Sequence, residues 1–295
     1  MEKSIALKKP IRLVLTLFLL GQGLIYSSSL LAQVNIPEAG KPLPIIEGGV
    51  GIFHARFPHY PSAATSFALT LPYPTFIYRG DVVRADENGG LRSRFFNTEN
   101  FEVNLSIGGA LPVSSEKIEA REGMPDLKTM VEFGPGFIWH ITPKKKKYRF
   151  RLSLNIPIRI AYSIDFKQTD DRGIVFNPFL FGFGRIFGRT NIFYFASYRW
   201  ANAEFHKTFF EVEPKYATDT RPTYFAKGGT VLSSVGVGFS HLFDRKYQLF
   251  TGISYDNFTL NSNRTSPLYQ RNSSTTFIVG CTWWFYKSSR TVSPQ

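Results

Sequence analysis

The stretch Ser274–Arg290, STTFIVGCTWWFYKSSR, alternates along its length. Every second residue from Thr275 gives Thr275, Phe277, Val279, Cys281, Trp283 and Phe285; the others give Thr276, Ile278, Gly280, Thr282, Trp284 and Tyr286. The first row is bulky and apolar, and the second is smaller and more polar. A period of two marks a β-strand whose two faces meet different surroundings. A soluble core or a lipid bilayer can each take an apolar row, so the rest of the chain has to decide between them.

The pattern recurs. Phe101, Val103, Leu105 and Ile107 alternate with Glu102, Asn104, Ser106 and Gly108. Phe150, Leu152, Leu154, Ile156, Ile158 and Ile160 alternate with Arg149, Arg151, Ser153, Asn155 and Arg159. Further examples are Phe133, Phe137 and Trp139 against Glu132 and His140, Val235, Val237 and Phe239 against Ser234 and Ser240, and Leu249, Ile253 and Tyr255 against Gln248 and Asp256. Each segment is about ten residues long, which a tilted strand needs to cross a bilayer. Strands are expected near 47–57, 66–78, 81–86, 90–97, 100–109, 130–141, 147–161, 173–187, 191–204, 230–243, 246–260 and 275–286. That makes twelve; without the short pair 81–86 and 90–97 there would be ten.

The connections between these strands alternate in length. Long ones are PHYPSAATS, DENG, 110–129, 162–172, 205–229 and 261–274; short ones are RG, TE, TPKKKK, GRT and DR. Bacterial outer-membrane barrels keep short turns on the periplasmic side and long loops outside. A soluble sandwich or lipocalin-like barrel has no reason to keep that parity. The expected fold is therefore all-β: a transmembrane antiparallel β-barrel of about 12 strands, with both ends of the sheet on the short-turn side. The last strand closes the ring against the first, so the apolar row of Ser274–Arg290 faces lipid and Cys281 is a small lipid-facing hydrophobe. Aromatics near strand ends (Tyr73, Trp139, Tyr194, Tyr198, Trp200, Tyr247, Trp283) suit the interfacial girdles.

The start of the chain reads as an address. MEKSIALKKPIR is basic, LVLTLFLLGQGLIY is apolar, and SSSLLAQ holds small residues. This is the three-part secretory signal, with an apolar stretch too short to span a membrane. Cleavage is expected after Ala32, leaving 33–295 as one barrel domain with a short tail from about 287. The charge is +13 over 295 residues, and the expected mature chain stays strongly basic. In an exported protein that charge points to acidic lipid headgroups, lipopolysaccharide or peptidoglycan, and away from nucleic acid. Cys281 is the only cysteine, so an internal disulfide is excluded.

The inner rows carry Arg149, Arg151, Arg159, Arg199, Glu102, Glu132 and Asp256. Charges inside a barrel need partners or water, so ion pairs are expected across the lumen. Lys144, Lys145, Lys146 and Lys147 form a basic periplasmic turn, read first as a solvated turn near headgroup phosphates and second as a docking point for an anionic partner. Enzyme signatures are weak. His241 follows Ser240, but neighbouring strand residues point to opposite faces. The five histidines lack metal-binding spacing. GFGRIFG does not match the dinucleotide fingerprint, and the acidic DFKQTDD reads as a solvated loop. The expectation is no enzyme, no cofactor and no metal.

Several short elements resemble the MipA/OmpV family (MltA-interacting protein). They are Gly49 and Gly51 in GGVGIF, then Pro58, Tyr60 and Pro61 in FPHYPSA, then Pro74, Tyr78, Gly80 and Asp81 in PYPTFIYRGD. Tyr224, Gly228 and Gly229 in YFAKGG and Ser266 and Pro267 in NRTSPL complete the set. The order covers essentially the expected mature chain. In one departure, the family's first loop often reads Y-x-G-S, where this chain has Tyr60-Pro61-Ser62-Ala63. Gly280, Trp283 and Phe285 also resemble the C-terminal assembly signal of barrels, although Ile278 replaces a polar residue and the chain continues past Phe285. The resemblance implies a non-enzymatic outer-membrane protein in the Gram-negative envelope. It further implies a scaffold joining a periplasmic murein hydrolase, a lytic transglycosylase, to a bifunctional penicillin-binding protein; other members are described as adhesins. From the residues themselves, a narrow channel whose arginines favour small anionic solutes stays open as an alternative.

Overall fold

The structure is a computed structural model that describes residues 42–80, 83–86, 90–143, 149–165, 168–244 and 246–292. The expected leader 1–32, Asp81 and the basic turn Lys144–Lys147 lie outside these residues. The strands are β1 (Leu43–Pro44), β2 (Ile46–Pro58), β3 (Ser66–Arg79), β4 (Val83–Asp86), β5 (Gly90–Asn97), β6 (Phe101–Ala110), β7 (Thr129–His140) and β8 (Phe150–Asp165). They continue with β9 (Gln168–Phe176), β10 (Phe179–Phe187), β11 (Thr190–Ala201), β12 (Gly229–Phe243), β13 (Tyr247–Asn257), β14 (Ser273–Lys287) and β15 (Thr291–Val292). One α-helix, α1 (Ala203–Phe210), follows β11.

All the long strands pair antiparallel with their neighbours, and β14 returns to β2 from Phe277↔Arg56 to Lys287↔Glu47. β8 pairs with β9 along its outer part and with β10 along its inner part, so β9 and β10 form a single span. The break falls at Asn177 and Pro178. Pro178 has no N–H to give the ladder, and Asn177 repairs the gap by donating from Nδ2 to the Tyr198 carbonyl at 3.0 Å. Counting β9–β10 once, the ring has twelve spans, with the short hairpin β4–β5 supplying two of them.

The faces settle the opening alternation. On β14, Phe277, Val279, Trp283 and Phe285 are 47–58% exposed, whereas Thr276, Ile278, Thr282 and Trp284 are at most 5% exposed. The same apolar-outward order holds for Leu249 and Ile253 on β13 and for Ile158 and Ile160 on β8. A sheet that closes on itself and turns its apolar side outward is a transmembrane barrel.

Two connections differ from the sequence reading. The expected connection 162–172 is largely strand, because β8 runs to Asp165, β9 begins at Gln168 and the two pair. Polar strand residues such as Asp170 and Asp171 continue the ladder there, opposite Ser163 and Tyr162. Residues 203–210 form α1 where an irregular loop was expected. Asn202 caps that helix by accepting from the Phe205 N–H at 3.3 Å, and Phe205, His206, Phe209 and Phe210 form its buried face. At the opposite end, β1 pairs with β15 in a separate two-stranded sheet beneath the barrel seam.

Candidate functional site: the lumen and its loop cap

The interior is layered. In its outer half, Glu132 on β7 sits between two arginines. Its Oε2 accepts from Arg159 Nη1 at 3.0 Å and its Oε1 accepts from Arg199 Nη2. Arg159 and Glu132 are fully buried, and the Arg199 guanidinium also lies 5.0 Å over the Phe205 ring of α1. β7 and β8 put Glu132 opposite Ala161, two positions from Arg159 on the same inward face, and β11, beyond the β9–β10 span, brings Arg199. The other inner-row charges do not join this cluster. Asp256 accepts from the Ser234 hydroxyl and, at 3.4 Å, from Ser274. Glu102 lies 3.6 Å from His140 Nε2 nearer the short-turn end. Arg151 is half-buried on β8, while Arg149 stands exposed just before β8 and donates to the Arg185 and Ile186 carbonyls.

Below the charged layer the interior is aromatic. Phe53, Phe181, Phe193, Phe250 and Ile278 are buried together, with Leu69, Leu71, Tyr73, Phe183 and Phe195 packed against them. Glycines on facing positions make room. A Cβ on Gly51 would lie 2.4 Å from the Tyr73 ring, and one on Gly280 would lie 2.3 Å from Phe250. Tyr73 thereby reaches Thr282, with 2.8 Å between the two hydroxyls. Gly49 leaves similar space beside the Trp284 indole. Lower still, Trp284 donates to Gln248 Oε1 at 3.1 Å, and Arg79 meets Glu47 at 2.8 Å with both side chains 4% exposed. Trp283 and Phe285 face outward in ring contact at 5.4 Å.

Of the residues that resemble family motifs, Tyr60, Tyr224, Gly228, Gly229 and Ser266 converge on the loop cap. Tyr60 donates its hydroxyl to the Leu268 carbonyl at 2.6 Å, and Ser266 donates to the Phe210 carbonyl at 2.6 Å. Gly228 and Gly229 let the chain pass close to α1 and to Ser262; Gly229 has φ +144°, and a Cβ there would strike the Ser262 hydroxyl. Ser62, standing where the family's loop carries glycine, takes φ +69°, and its carbonyl accepts from Gln270 and Arg271 N–H. Pro74 and Tyr78 instead face outward on β3, Gly80 ends that strand, and Pro58 closes β2. Arg221 ties two loops by donating to the Ala120 and Glu122 carbonyls at 3.1 and 2.9 Å. Burial pushes the Tyr60 phenol up to about 12.

At the heart of the cap is His206. Its Nε2 lies 3.1 Å from the Gly229 carbonyl and its Nδ1 lies 2.9 Å from Asn263 Nδ2. Asn263 Nδ2 also donates to the Lys227 carbonyl, so the amide orientation is fixed and Nδ1 is the acceptor. The ring is neutral, with the proton on Nε2. Burial first, and the Arg199 charge to a smaller degree, hold its pKa below the usual histidine value against the opposing bond to Gly229. By contrast, His241 contacts Thr190 at 2.8 Å near the short-turn end, on the strand face opposite the buried Ser240.

Between cap and aromatic layer lies a cavity of about 200 Å³. Phe57, Phe67, Phe205 and Val231 give its apolar walls, and Glu132, Arg199, Asp256 and Thr208 give its polar ones. The sequence alternation singled out inner-row charges, of which Arg149 stands exposed before β8, and it did not reveal the aromatic layer. Its signal was present in GVGIFHARF, where Ile52 and Phe53 are both bulky and glycines recur on the inner row.

Among solved structures, the COG4313 outer membrane channel from Pseudomonas putida F1 aligns with TM-score 0.42 and 11% identity, over 86% of this chain and 98% of that one. OmpT of Vibrio cholerae aligns with TM-score 0.36 and 7% identity over 84% and 100%. The Pseudomonas putida toluene transporter TodX aligns with TM-score 0.35 and 9% identity over 88% and 92%. No curated protein sequence matches the chain. The family profile described as MltA-interacting protein MipA matches residues 50–285, from the first barrel strand to the outward Phe285 of the last. This chain belongs to the MipA family.

Proposed function

We propose that this chain is a non-enzymatic outer-membrane barrel that works as an envelope interaction protein, presenting its periplasmic side to the peptidoglycan-synthesis machinery. The observation that carries this reading is the filled lumen. Successive layers of loop cap, ion pairs, phenylalanines and the Trp284–Gln248 contact occupy the interior among the described residues. Such a barrel offers little as a conduit and much as a rigid platform. The family description, MltA-interacting protein, favours a murein hydrolase as one partner, with a penicillin-binding protein as the second. The periplasmic side also carries the expected basic turn Lys144–Lys147, suited to an acidic partner surface or to lipopolysaccharide and lipid phosphates.

Two measurements test this. Purified protein in planar bilayers is expected to give no steady conductance; a stable, ion-selective current would favour the channel reading instead. Affinity capture from envelope extracts is expected to recover a lytic transglycosylase, with recovery reduced when Lys144–Lys147 are changed to glutamine. Recovery of no peptidoglycan enzyme under mild crosslinking would overturn the scaffold reading.

A further inference from the structure

Among the described residues, the strand ladder is incomplete on one side of the barrel. β3 pairs with β2 over its whole length, from Ile46↔Tyr78 to Pro58↔Ser66. Towards β4 it pairs only at Tyr78↔Ala85 and Arg79↔Arg84. On the far side of the hairpin, β5 pairs with β6 only from Arg94↔Asn104 to Asn97↔Glu102. Asp86↔Gly90 is the outermost pair between β4 and β5, so among the described residues the hairpin pairs only part of the way. Among the described residues, Ser66–Pro72 on β3 and Ile107–Ala110 on β6 therefore have no strand partner on the sides that face each other across the hairpin. The result is a notch in the wall towards the loop end.

Three observations give the notch a use. First, the cavity is lined from both of its edges, by Phe57 and Phe67 at the tops of β2 and β3 and by Gly109 and Ala110 at the top of β6. Second, the outward face on the β2–β3 side of the notch is polar. His54 contacts Thr70 and Arg56 donates to Ser66, each at 2.8 Å, whereas their partners on β14 at the same levels are Val279 and Phe277. An open sheet edge is tolerated at membrane depth only where it is buried in protein or lines a water-filled cavity, and the polar side chains here suit the second case. Third, Arg199 Nε and Thr208 Oγ1 are buried donors without a hydrogen-bond partner among the described residues, and both side chains line the cavity. Unmet buried donors are costly unless an acceptor arrives.

We infer that the notch admits a small amphiphile from the outer leaflet into the cavity, body among the phenylalanines and acceptor head against Arg199 and Thr208. The volume sets the size class. A dry cavity of about 150 Å³ holds benzene, so about 200 Å³ takes one aromatic ring with a small carboxylate or hydroxyl substituent. The aromatic layer beneath stops the ligand from passing through, so this is a membrane-side binding site and is independent of any periplasmic partner.

The test uses the full mature chain in lipid nanodiscs, with 4-azidobenzoate as photolabel and benzoate as competitor. Cys281→Ser, Ala68→Cys and Ile107→Cys allow a cleavable thiol crosslinker to span the notch. Label is expected on peptides containing Phe57 or Phe205, competed by benzoate. Its initial rate is expected to fall at least tenfold with the linker in place and to recover on cleavage, so the same folded protein serves as its own control. Thr208→Val is expected to weaken competition by benzoate several-fold and to leave competition by toluene unchanged. Label spread over the outward strands, or cavity label whose rate ignores the linker, would overturn the proposal.

Discussion

Glu132 and Arg159 meet at 3.0 Å inside the barrel, on adjacent strands, with essentially no exposed surface on either side chain. Arg199 on β11 closes the same carboxylate, so one acid balances two cations. Removing one partner from a buried pair leaves an uncompensated charge, which costs about 3–5 kcal/mol. Glu132→Gln is expected to lose about that much stability, read as a lower guanidinium midpoint for refolded barrel on heat-modifiable gels. A midpoint unchanged from the parent would show that water neutralises the arginines without Glu132.

Glycine at position 51 is a matter of space. Gly51→Ala drives a methyl into the Tyr73 ring and pushes its hydroxyl off Thr282. Overpacking of this kind costs about 1–3 kcal/mol. Tyr73→Phe, which keeps the ring and drops one hydrogen bond, should cost about 1 kcal/mol. Chemical denaturation of the two variants side by side checks the order.

His206 makes the loop cap acid-sensitive. Its folded pKa lies below the usual value, so the folded state holds fewer protons than the unfolded one as pH falls through about 6.5. Stability from this residue is therefore full at higher pH and is lost as pH drops from the unfolded pKa towards the folded one. Protonation would also set a second N–H against the donating amide of Asn263. Protection factors in 203–210 and 224–229, with the intrinsic pH dependence of exchange divided out, are expected to fall between pH 7.5 and 5, and a His206→Gln variant should lose that fall.

Ser62 carries a strained backbone. A non-glycine residue in the left-handed region costs about 1–2 kcal/mol, and glycine's greater unfolded-state freedom returns about 0.5–1 of it. Ser62→Gly should be neutral to slightly stabilising, by up to about 1 kcal/mol, in thermal unfolding. Ser62→Val should be destabilising, since a β-branched residue tolerates that region least.

Cys281 lies on the exposed outward row between Val279 and Trp283. In native membranes it should resist a charged maleimide and react with a lipid-soluble one. Fast modification by the charged reagent would mean that this row faces water.

Much of this architecture was legible because alternation is a direct readout of a two-faced wall. Ile158 and Ile160 outward with Arg159 inward follows from the period alone. The aromatic layer was not legible, because Phe53 and Ile52 look alike in sequence and only curvature decides that one fills a lumen while the other meets lipid. α1 was missed because its apolar positions, Phe205, Phe209 and Phe210, span barely two turns after a strand that already reads apolar. The Asn202 cap was the available signal. The loop contacts Tyr60–Leu268 and Ser266–Phe210 bridge residues far apart in sequence, so the short motifs flagged the residues without giving the reason for them.

The small sheet of Leu43–Pro44 with Thr291–Val292 has a mechanical consequence. A force drawing those two segments apart loads that ladder before it reaches the seam between β14 and β2. Extraction by pulling should therefore begin with a small early rupture, followed by the peeling of hairpins from the seam outward.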